Sequence, residues 1–416
     1  MNDRANAPAG EPDLPGFPFP GSSHRGPAPL FARLRAERPV VRVAWTGGGH
    51  AWLVTRHEDV IRVLDDPRFS RAASYAPEAP RFSGLFQAPP GMIISLDPPD
   101  HTRLRALAEQ AFSRERVEGM RPRVREVAGR LLDALEKEAG HGPVDLVAGF
   151  AAPLAMTVIC ELLGVPEGDR DRFHAWVRQF ADVSAPEEQA AEGGEKLGGY
   201  IAGLVAAKQR EPADDVLSAL IGARLGEDRL GFEELVGLGF TLLGAGFDSS
   251  AGQIGNFVVT LLAGHRDLWR RLGEHPREIP AAVEELLRTV NLNGNDTSGL
   301  PRIATEDVPI GDVVIPAGEA VFLAFPSANR DASVFADPDR ADFGRTDNPH
   351  LAFGHGIHRC LGAPLARLEL TVALQELTRR FPDARLAVPE QELTWRAGDV
   401  NHNLLALPVE LSRSTA

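Results

Sequence analysis

The stretch HLAFGHGIHRCLGAPLARLEL, residues 350–370, is the most informative part of this chain. A loop punctuated by Phe353, Gly354 and Gly356 leads to Cys360, and apolar residues at helical spacing follow it. The pattern predicts that the loop delivers Cys360 to the first turn of a helix. Free N–H groups and the helix dipole stabilise an anion there, so the sequence predicts a thiolate at this position.

Two residues that follow Cys360 suit such a helix start. Pro364 is tolerated in a first turn because its missing N–H donor has no partner to lose there. Gly362 removes a side chain at the place where a flat macrocycle would lie. A zinc site made of His355, His358 and Cys360 is the alternative, and it would need a fourth ligand and tetrahedral closure.

Length and composition are those of an ordinary globular protein. The chain has 416 residues, of which 43% are hydrophobic and 25% charged, and it contains no apolar run long enough for a membrane span. The Pro- and Gly-rich residues 1–29 lack the basic and apolar regions of a secretory signal, so we expect a loosely ordered lead-in and a cytoplasmic protein. No repeat, low-complexity tract or linker divides the rest, which predicts a single domain over residues 30–416.

Charge and cysteine content narrow the function classes. The formal net charge of −14 disfavours nucleic acid and anionic membranes as partners, because both would repel the chain. The chain holds two cysteines, whereas a secreted scaffold of this length more often carries several paired ones. Cys160 lies among apolar residues at helical spacing and is predicted to be a core residue.

Hydrophobic periodicity predicts mainly helix. Apolar residues recur at three- and four-residue spacing in the segments 101–140, 150–164, 192–208, 232–263, 277–290 and 362–380. VVRVAW and AWLVT, residues 40–45 and 51–55, flank a glycine turn and predict two short strands, and a second pair of strands surrounds the turn PAG at residues 316–318. The predicted fold class is therefore mainly α with small β-sheets.

The full pattern around the cysteine, F-G-x-G-x-H-x-C-x-G, resembles the haem-ligand loop of the cytochrome P450 family, in which a cysteine thiolate holds the iron. The resemblance covers roughly residues 30–410. It implies the family's fold, a triangular prism of about a dozen helices that encloses haem b. It also implies that Cys360 ligates the iron and that Phe353, Gly354 and Gly362 contact the cofactor.

Glu285 and Arg288 in AAVEELLRTV lie three residues apart on a predicted helix, so their side chains share one face. Taken alone, such a pair is usually solvated and of little energetic worth. By resemblance, the pair matches the family's E-x-x-R helix, and Arg345 lies in the segment that closes a structural network with it. The implied role of all three residues is to hold the core on the haem side.

A haem carries two propionates, which are costly to bury without cations or donors. His101 and Arg105 lie four residues apart and share a helix face, Arg302 follows in GLPRIA, and His358 precedes the cysteine by two residues. All four occupy positions that bind propionates in the family, so the resemblance implies the same contacts here.

The stretch LGFTLLGAGFDSSAGQIGNF, residues 238–257, has two interpretations. An apolar run before Gly244 and Gly246 is typical of a strand entering a dinucleotide loop, but Ser249 stands where that fingerprint needs its third glycine. The alternative is one long helix, in which each glycine costs up to about 1 kcal/mol relative to alanine. Ser249 would then bond back to the carbonyl of Ala245 and open a pocket for O₂ and water.

The helical interpretation matches the family's oxygen-activation motif, A-G-x-[DE]-[TS]. By resemblance, Ala245 and Gly246 border the cofactor, and Asp248 and Ser249 are the catalytic residues that relay protons. Serine replaces the usual threonine. This departure predicts less tightly coupled proton delivery, or a substrate that supplies protons or radicals itself.

The resemblance also implies partners. No flavin or iron–sulfur segment is visible in the chain, so electrons must come from a separate ferredoxin and ferredoxin reductase. The other reactants are O₂ and a small molecule, which is hydroxylated or oxidatively coupled. We expect a monomer.

Substrate contacts are expected from variable segments around the haem. These segments contribute Phe82, Phe86, Met92, Ile93, Phe180, Asn293, Asn295, Val400 and Asn401. The asparagines offer paired donors and acceptors, although turns use the same residue type. Several stretches resemble a branch of the family that oxidises cyclodipeptides (diketopiperazines). The sequence therefore predicts such a substrate, with a macrolide, terpene or fatty-acid-like molecule as the alternative.

Two other functional classes stay open at this point. One is a non-enzymatic haem-binding protein, in which Asp248 and Ser249 would have no purpose. The other is a nicotinamide dehydrogenase, which the dinucleotide interpretation of Gly244 and Gly246 would require.

Overall fold

A computed structural model describes residues 14–45, 48–77, 79–80, 91–181, 186–294, 296–297, 300–396 and 401–411. Helices dominate this part of the chain, and the strands form three small sheets. The predicted fold class, mainly α with small sheets, is confirmed. Within the same ranges, no helix combines the length and apolar character needed to cross a bilayer.

The helices follow one another closely along the chain. They are α1 (Leu30–Glu37), α2 (His57–Asp65), α3 (Asp100–Ala111), α4 (Arg114–Gly119), α5 (Arg121–Ala139), α6 (Ala152–Leu163), α7 (Arg170–Ala181), α8 (Glu187–Arg210), α9 (Val216–Gly222), α10 (Phe232–Gly264), α11 (Arg266–Glu274), α12 (Ile279–Thr289), α13 (Phe325–Ala328) and α14 (Ala363–Arg380). The long α10 packs against α6, α8 and α14, which places its middle inside the helical core.

The segment 101–140 is not one helix but three. Ser113 has an extended backbone, and its hydroxyl caps α4 by accepting the N–H of Arg116 at 3.3 Å. Pro122 opens α5, because a proline cannot continue a preceding helix without losing a hydrogen bond and clashing with the turn before it. Periodicity alone does not reveal these breaks, since the apolar spacing continues across them.

The strands form a six-stranded sheet, a three-stranded sheet and a hairpin. They are β1 (Gly16–Phe17), β2 (Val40–Trp45), β3 (His50–Val54), β4 (Phe69–Ser70), β5 (Val144–Asp145), β6 (Arg302–Ala304), β7 (Val308–Ile310), β8 (Val313–Ile315), β9 (Ala320–Leu323), β10 (Arg385–Leu386) and β11 (Pro408–Glu410). The large sheet has the order β1-β2-β3-β9-β6-β4, and β2 and β3 form the antiparallel pair that the sequence predicts.

Both strands predicted around the turn PAG are present, but they do not pair with each other. The strands on either side of the turn PAG are β8 and β9, and they belong to different sheets. β8 pairs with β7 through a tight turn at Gly311, whose φ of +57° suits glycine. β9 inserts instead between β3 and β6, where all four of its residues are buried.

The lead-in is packed from Leu14 onward. β1 pairs with β2, and the ring of Phe17 is 0% exposed and 5.0 Å from that of Phe19 in an edge-to-face contact. Phe17 also contacts Phe31 of α1 and Trp45 of β2. The expectation of a loosely ordered segment therefore does not hold for residues 14–29, because its aromatic residues bury their rings against the sheet.

Candidate active site

A cavity of about 390 Å³ lies between the middle of α10 and the loop that precedes α14. It brings together stretches that are far apart in sequence. All ten residues expected to contact the cofactor line it: His101, Arg105, Ala245, Gly246, Arg302, Phe353, Gly354, His358, Cys360 and Gly362. Ser249 lines it as well.

The loop backbone positions Cys360. Its N–H donates to the carbonyl oxygen of Phe353 at 2.9 Å, which closes the loop on itself. Gly354 and Gly356 both have a φ of +69°, a conformation that favours glycine. A Cβ atom added at Gly356 would lie 3.0 Å from the carbonyl oxygen of Leu64, so there is little room for a side chain. The glycines of the motif are therefore needed to form the turn that presents the sulfur.

Cys360 is accessible from the cavity, yet the surrounding protein desolvates its sulfur. Burial raises the pKa of the thiol, and the N–H groups of Gly362 and Ala363 and the charge of Arg105 act in the opposite direction. A metal ion bound at the sulfur would remove the proton. α14 starts at Ala363, so Cys360 lies just before the first turn rather than within it, and Pro364 occupies that turn as predicted.

Buried cations and donors line the same cavity without enough acceptors. Arg302 is buried, and burial together with the nearby charge of Arg71 lowers its pKa to about 10. The rings of His101 and His358 lie 4.2 Å apart, and His101 Nδ1 and His358 Nε2 are buried with no hydrogen-bond partner in the part of the chain that the structure describes. Two carboxylates would supply the missing negative charge and acceptors. The residues present therefore fit the propionates of a haem.

Arg71 is a cavity residue that sequence reasoning missed. It is buried, and its guanidinium donates to the carbonyl of Ile94 at 3.0 Å, to the hydroxyl of Tyr75 at 3.1 Å and to the carbonyl of Pro301. All three acceptors are neutral, and the nearby carboxylate of Asp97 offsets part of the guanidinium charge. A bound anion would offset the rest. The available signal was an arginine directly after the short strand Phe69–Ser70.

The middle of α10 has the geometry predicted for an oxygen pocket. Ser249 Oγ donates to the carbonyl oxygen of Ala245 at 2.6 Å, which is the expected back-bond. A Cβ atom at Gly246 would lie 3.1 Å from Ile159 Cδ1, so the glycine lets α10 approach α6 closely. The helix is continuous from Phe232 to Gly264, which excludes a strand that enters a dinucleotide loop.

The side chain of Asp248 is held by residues near the end of the chain. Its Oδ2 accepts hydrogen bonds from Asn403 Nδ2 at 2.6 Å and from Asn401 Nδ2 at 3.1 Å. Its Oδ1 lies 3.6 Å from Arg396 Nη1. Among the described residues the cavity lining includes Ser249 but not its neighbour Asp248. The two predicted catalytic residues thus have different environments, because adjacent residues on a helix point in different directions.

Glu369 on α14 is a second residue that the sequence did not single out. It lines the cavity beside Ser250 of α10 and is 2% exposed, and its Oε2 is buried with no hydrogen-bond partner among the described residues. Burial raises its pKa to about 8, so the group carries a proton at neutral pH. The signal was an acid on the apolar face of the helix, four residues after Leu365.

Comparisons with known proteins identify the family. The chain is 46% identical over 382 residues to mycinamicin IV hydroxylase/epoxidase of Micromonospora griseorubida, across 91% of this chain and 94% of that protein. It is also 46% identical over 401 residues to nocardicin C N-oxygenase of Nocardia uniformis subsp. tsuyamanensis, across 96% and 98%. This chain belongs to the cytochrome P450 family. The family model described as cytochrome P450 matches residues 279–392.

A solved structure agrees with this P450 over nearly its whole length. The LnmA cytochrome P450 hydroxylase from the leinamycin biosynthetic pathway of Streptomyces atroolivaceus superposes with a TM-score of 0.88 at 44% identity, covering 95% of this chain and 100% of that one. The protein is therefore a cytochrome P450 monooxygenase with haem b as its cofactor. The dehydrogenase and non-enzymatic alternatives are wrong.

The zinc alternative has no support in the structure. His355 pairs with Asp65 at 3.1 Å and is turned to that carboxylate. Over the part of the chain that is described, no cluster of three His, Cys, Asp or Glu side chains could hold a metal ion. Within these residues, Cys360 is therefore not part of a zinc-binding cluster.

The E-x-x-R pair of this P450 is buried rather than solvated. Arg288 donates to Glu285 through two nitrogens, at 2.9 and 2.7 Å, and Glu285 is 1% exposed. Arg345 lies 3.3 Å from the same carboxylate. Arg288 also donates to the carbonyl oxygens of Asn329 and Pro338, so the network ties α12 to the chain that leads into the cysteine loop.

Few of the predicted substrate residues can be placed at the cavity. Of those that the structure describes, Ile93 and Asn293 line it, and Met92, Phe180 and Asn401 do not. Phe180 packs edge-to-face on Phe240, and the amide of Asn401 is bound to Asp248. Four others lie outside the described residues: Phe82, Phe86, Asn295 and Val400.

Proposed function

We propose that this P450 hydroxylates or epoxidises a specialised metabolite of the macrolide class, using O₂ and electrons from a ferredoxin and its reductase. The observation that carries the proposal is the cavity that Cys360, Ser249 and the buried cations share. When bound, haem supplies the activation of O₂ at a thiolate-ligated iron. The remaining steps depend on the chain's own residues.

The cofactor would be held by residues of three kinds. Cys360 would ligate the iron, and Arg71, Arg302, His101 and His358 would pair with the propionates. The glycine at Gly362 keeps space beside the sulfur, because a Cβ atom there would stand 4.0 Å from Cys360 Sγ.

On the cavity wall itself, proton supply would use one group of α10 and one of α14. Ser249 holds its proton toward the carbonyl of Ala245, and its oxygen can accept from a water in the cavity. Glu369 carries a proton at neutral pH and lines the same cavity as Ser249 and Ser250. A protonated carboxyl at the cavity wall is therefore available as a proton donor.

Aliphatic side chains and the named relatives favour a macrolide over a cyclodipeptide. The apolar part of the wall includes Ile93, Leu238, Leu242, Leu292 and Leu300. The cyclodipeptide prediction rested on stretches that resemble one branch of the family, with the asparagines as possible partners for the ring amides, but the amide of Asn401 is bound to Asp248. The relative that acts on mycinamicin IV aligns with 91% of this chain, which supports the macrolide alternative instead.

The haem-thiolate assignment is tested by Cys360→Ala. The reduced, carbon monoxide-treated holoenzyme should lose the Soret band typical of thiolate ligation. Cys160→Ala is the matched control, because Cys160 is buried in the core beside Met156 and the cavity lining does not include it. An unchanged spectrum in Cys360→Ala would overturn the assignment.

The substrate class is tested by titration of the holoenzyme with mycinamicin IV and with a tryptophan-containing cyclodipeptide. We expect the macrolide to shift the haem spin-state spectrum and to yield an oxygenated product with a ferredoxin and its reductase. A shift with the cyclodipeptide alone would reject the macrolide class and restore the first prediction. Failure of both ligands would reject both classes.

A further inference from the structure

The carboxylate of Asp248 is enclosed by a short segment near the chain end, residues 401–404, which we call the C-terminal loop. Asn403 Nδ2 donates to Asp248 Oδ2 at 2.6 Å, and Asn401 Nδ2 donates to the same oxygen at 3.1 Å. Arg396 adds a partly exposed cation 3.6 Å from the other oxygen. Hydrogen bonds to a carboxylate are about twice as strong as those between neutral groups. The loop therefore holds the carboxylate in one orientation.

The backbone of the C-terminal loop is itself anchored. Asn256 lies two turns beyond Asp248 on α10, is fully buried, and donates its amide to the carbonyl of His402 at 2.9 Å. The N–H of Arg396 donates to the carbonyl of Asn403 at 2.8 Å. The two side-chain amides are thus presented to Asp248 from a fixed backbone.

A glycine of α10 makes the approach possible. Gly252 lies one turn after Asp248, and a Cβ atom at that position would collide with Asn403 Oδ1. By contrast, a Cβ atom at Gly255 would meet Leu404 Cδ1 at 3.5 Å, which is ordinary van der Waals contact. One of the glycines that weaken this helix therefore has a specific use, since it admits Asn403.

The same loop is joined to the cavity wall. The N–H of His402 donates to the carbonyl of Leu292 at 2.6 Å, and Asn401 forms a β-bridge with Asn293. Leu292 and Asn293 both line the cavity. A molecule that presses on these two residues would push on the segment that holds Asp248.

We propose that Asn403 and Asn401 are positioning residues that hold Asp248 for proton delivery, and that they couple this delivery to contacts at the cavity wall. The proposal deepens the proposed monooxygenase function and rests on it. It gives these asparagines the role of orienting Asp248 on α10, whereas the sequence suggested a contact between Asn401 and substrate. Asp248 would reach the oxygen site through solvent and Ser249 rather than directly.

The effect on O₂ reduction can be measured without a substrate. Reduction of O₂ by two electrons and two protons gives hydrogen peroxide, and reduction by four of each gives two waters. Well-placed proton delivery favours the second outcome. We expect Asn403→Ala to raise the ratio of peroxide to water by about tenfold, which is the effect of losing one hydrogen bond to a charged group.

The test is a double-mutant cycle on the holoenzyme with Asp248→Ala, Asn403→Ala and the double variant, supplied with electrons by a ferredoxin and its reductase. If Asn403 acts through Asp248, its substitution will leave the peroxide-to-water ratio unchanged once Asp248 is absent. Hydrogen–deuterium exchange of residues 401–404 provides a readout that does not depend on turnover. Exchange should rise in each single variant and no further in the double one.

Gly252→Ala tests the same contact without changing a polar group, and Gly255→Ala is its matched control. We expect the first variant to raise both peroxide formation and loop exchange, and the second to alter neither. Equal effects of Asn403→Ala with and without Asp248 would overturn the proposal. If that variant loses haem, Asn401→Ala replaces it in the cycle. A wrong substrate class would appear only as failure to oxidise mycinamicin IV, and it would not change these results.

Discussion

Glu369 shows how burial changes a single carboxyl group. Its pKa rises from 4.5 to about 8, chiefly because burial disfavours the charged form. Between these values the folded protein keeps a proton that the unfolded chain has lost. The free energy of unfolding therefore falls as pH rises through this window, by about 1.4 kcal/mol per pH unit for this group.

We predict that Glu369→Gln removes this dependence. The variant should match the parent in stability near pH 4.5 and exceed it increasingly up to about pH 8, as measured by denaturant unfolding of the holoenzyme. Glu376→Gln on the same helix is the control, because Glu376 is paired with Arg379 at 2.6 Å and should not gain stability as pH rises. Parallel stability curves for Glu369→Gln and the parent would contradict the prediction.

The role of Ser249 in proton delivery can be tested by removing its hydroxyl. Ser249→Ala removes the hydroxyl that donates to Ala245, and we expect it to raise peroxide leakage relative to product by about a hundredfold, the lower end of general acid–base effects. Thr260→Ala removes an equivalent back-bond to Asn256 on the same helix and should leave the ratio unchanged. Unaltered coupling in Ser249→Ala would remove this residue from the proton relay.

The buried arginines are tested by haem retention. Replacing Arg302 or Arg71 with leucine removes a buried cation from the cavity wall, and haem should dissociate about ten times faster, measured by transfer to apomyoglobin. Arg270→Leu is the control, because that residue forms an exposed pair with Asp383. Equal dissociation rates in all three variants would show that the arginines do not hold the propionates.

At the scale of elements, the network around Glu285 joins α12 to the long segment before the cysteine loop. Besides the arginines, two further donors bind this carboxylate. They are the main-chain N–H of Asp342 at 2.7 Å and the side-chain amide of Asn348 at 3.2 Å. A carboxylate with so many donors is well satisfied, even though it is buried.

We predict that Glu285→Ala destabilises the protein by about 3–5 kcal/mol, because it leaves buried arginine charge without its partner. Glu278→Ala, which breaks an exposed pair with Arg271, should change the free energy of unfolding far less, because solvent screens that pair. Both changes in the free energy of unfolding would be measured by denaturant unfolding of the holoenzyme. Similar small losses in the two variants would mean that the network is not a structural tie.

At the scale of the whole molecule, the N-terminal segment, residues 14–29, supplies the edge strand β1 of the six-stranded sheet. Phe17, Phe19 and Ala28 belong to the buried cluster that β2, β3 and β9 form with α1. Asp296 strengthens this attachment by accepting the N–H of Ala28 at 2.9 Å and the hydroxyl of Ser22 at 2.6 Å. The segment is therefore part of the folded unit.

We predict that Phe17→Ala lowers the free energy of unfolding by about 3–5 kcal/mol, the usual cost of emptying a fully buried aromatic site. Val314→Ala is the control, because Val314 is 55% exposed on the β7–β8 hairpin and should change stability by about 0.5 kcal/mol or less. A small effect at Phe17 would return residues 14–29 to the status of a loose lead-in.

Local sequence patterns were sufficient for many of the elements, but not for the breaks within residues 101–140 or for the pairing of β9. The glycine-rich loop, the helix start at Pro364 and the back-bond of Ser249 depend on neighbours within a few positions, and they can be derived without knowing the fold. The ten residues expected to contact the cofactor were found through family motifs, and they line one cavity, while their contacts with haem stay a prediction.

Tertiary structure alone decided which distant residues meet. Nothing near Asp248 in sequence indicates that asparagines of residues 401–403 enclose its carboxylate, and nothing near Glu369 indicates burial against Ser250. The pairing of β9 with β3 likewise depends on the assembled sheet and not on the turn that precedes β9. These outcomes depend on packing between segments far apart in the chain, where the balance of burial, hydrogen bonding and charge is set by the assembled fold and not by residue spacing.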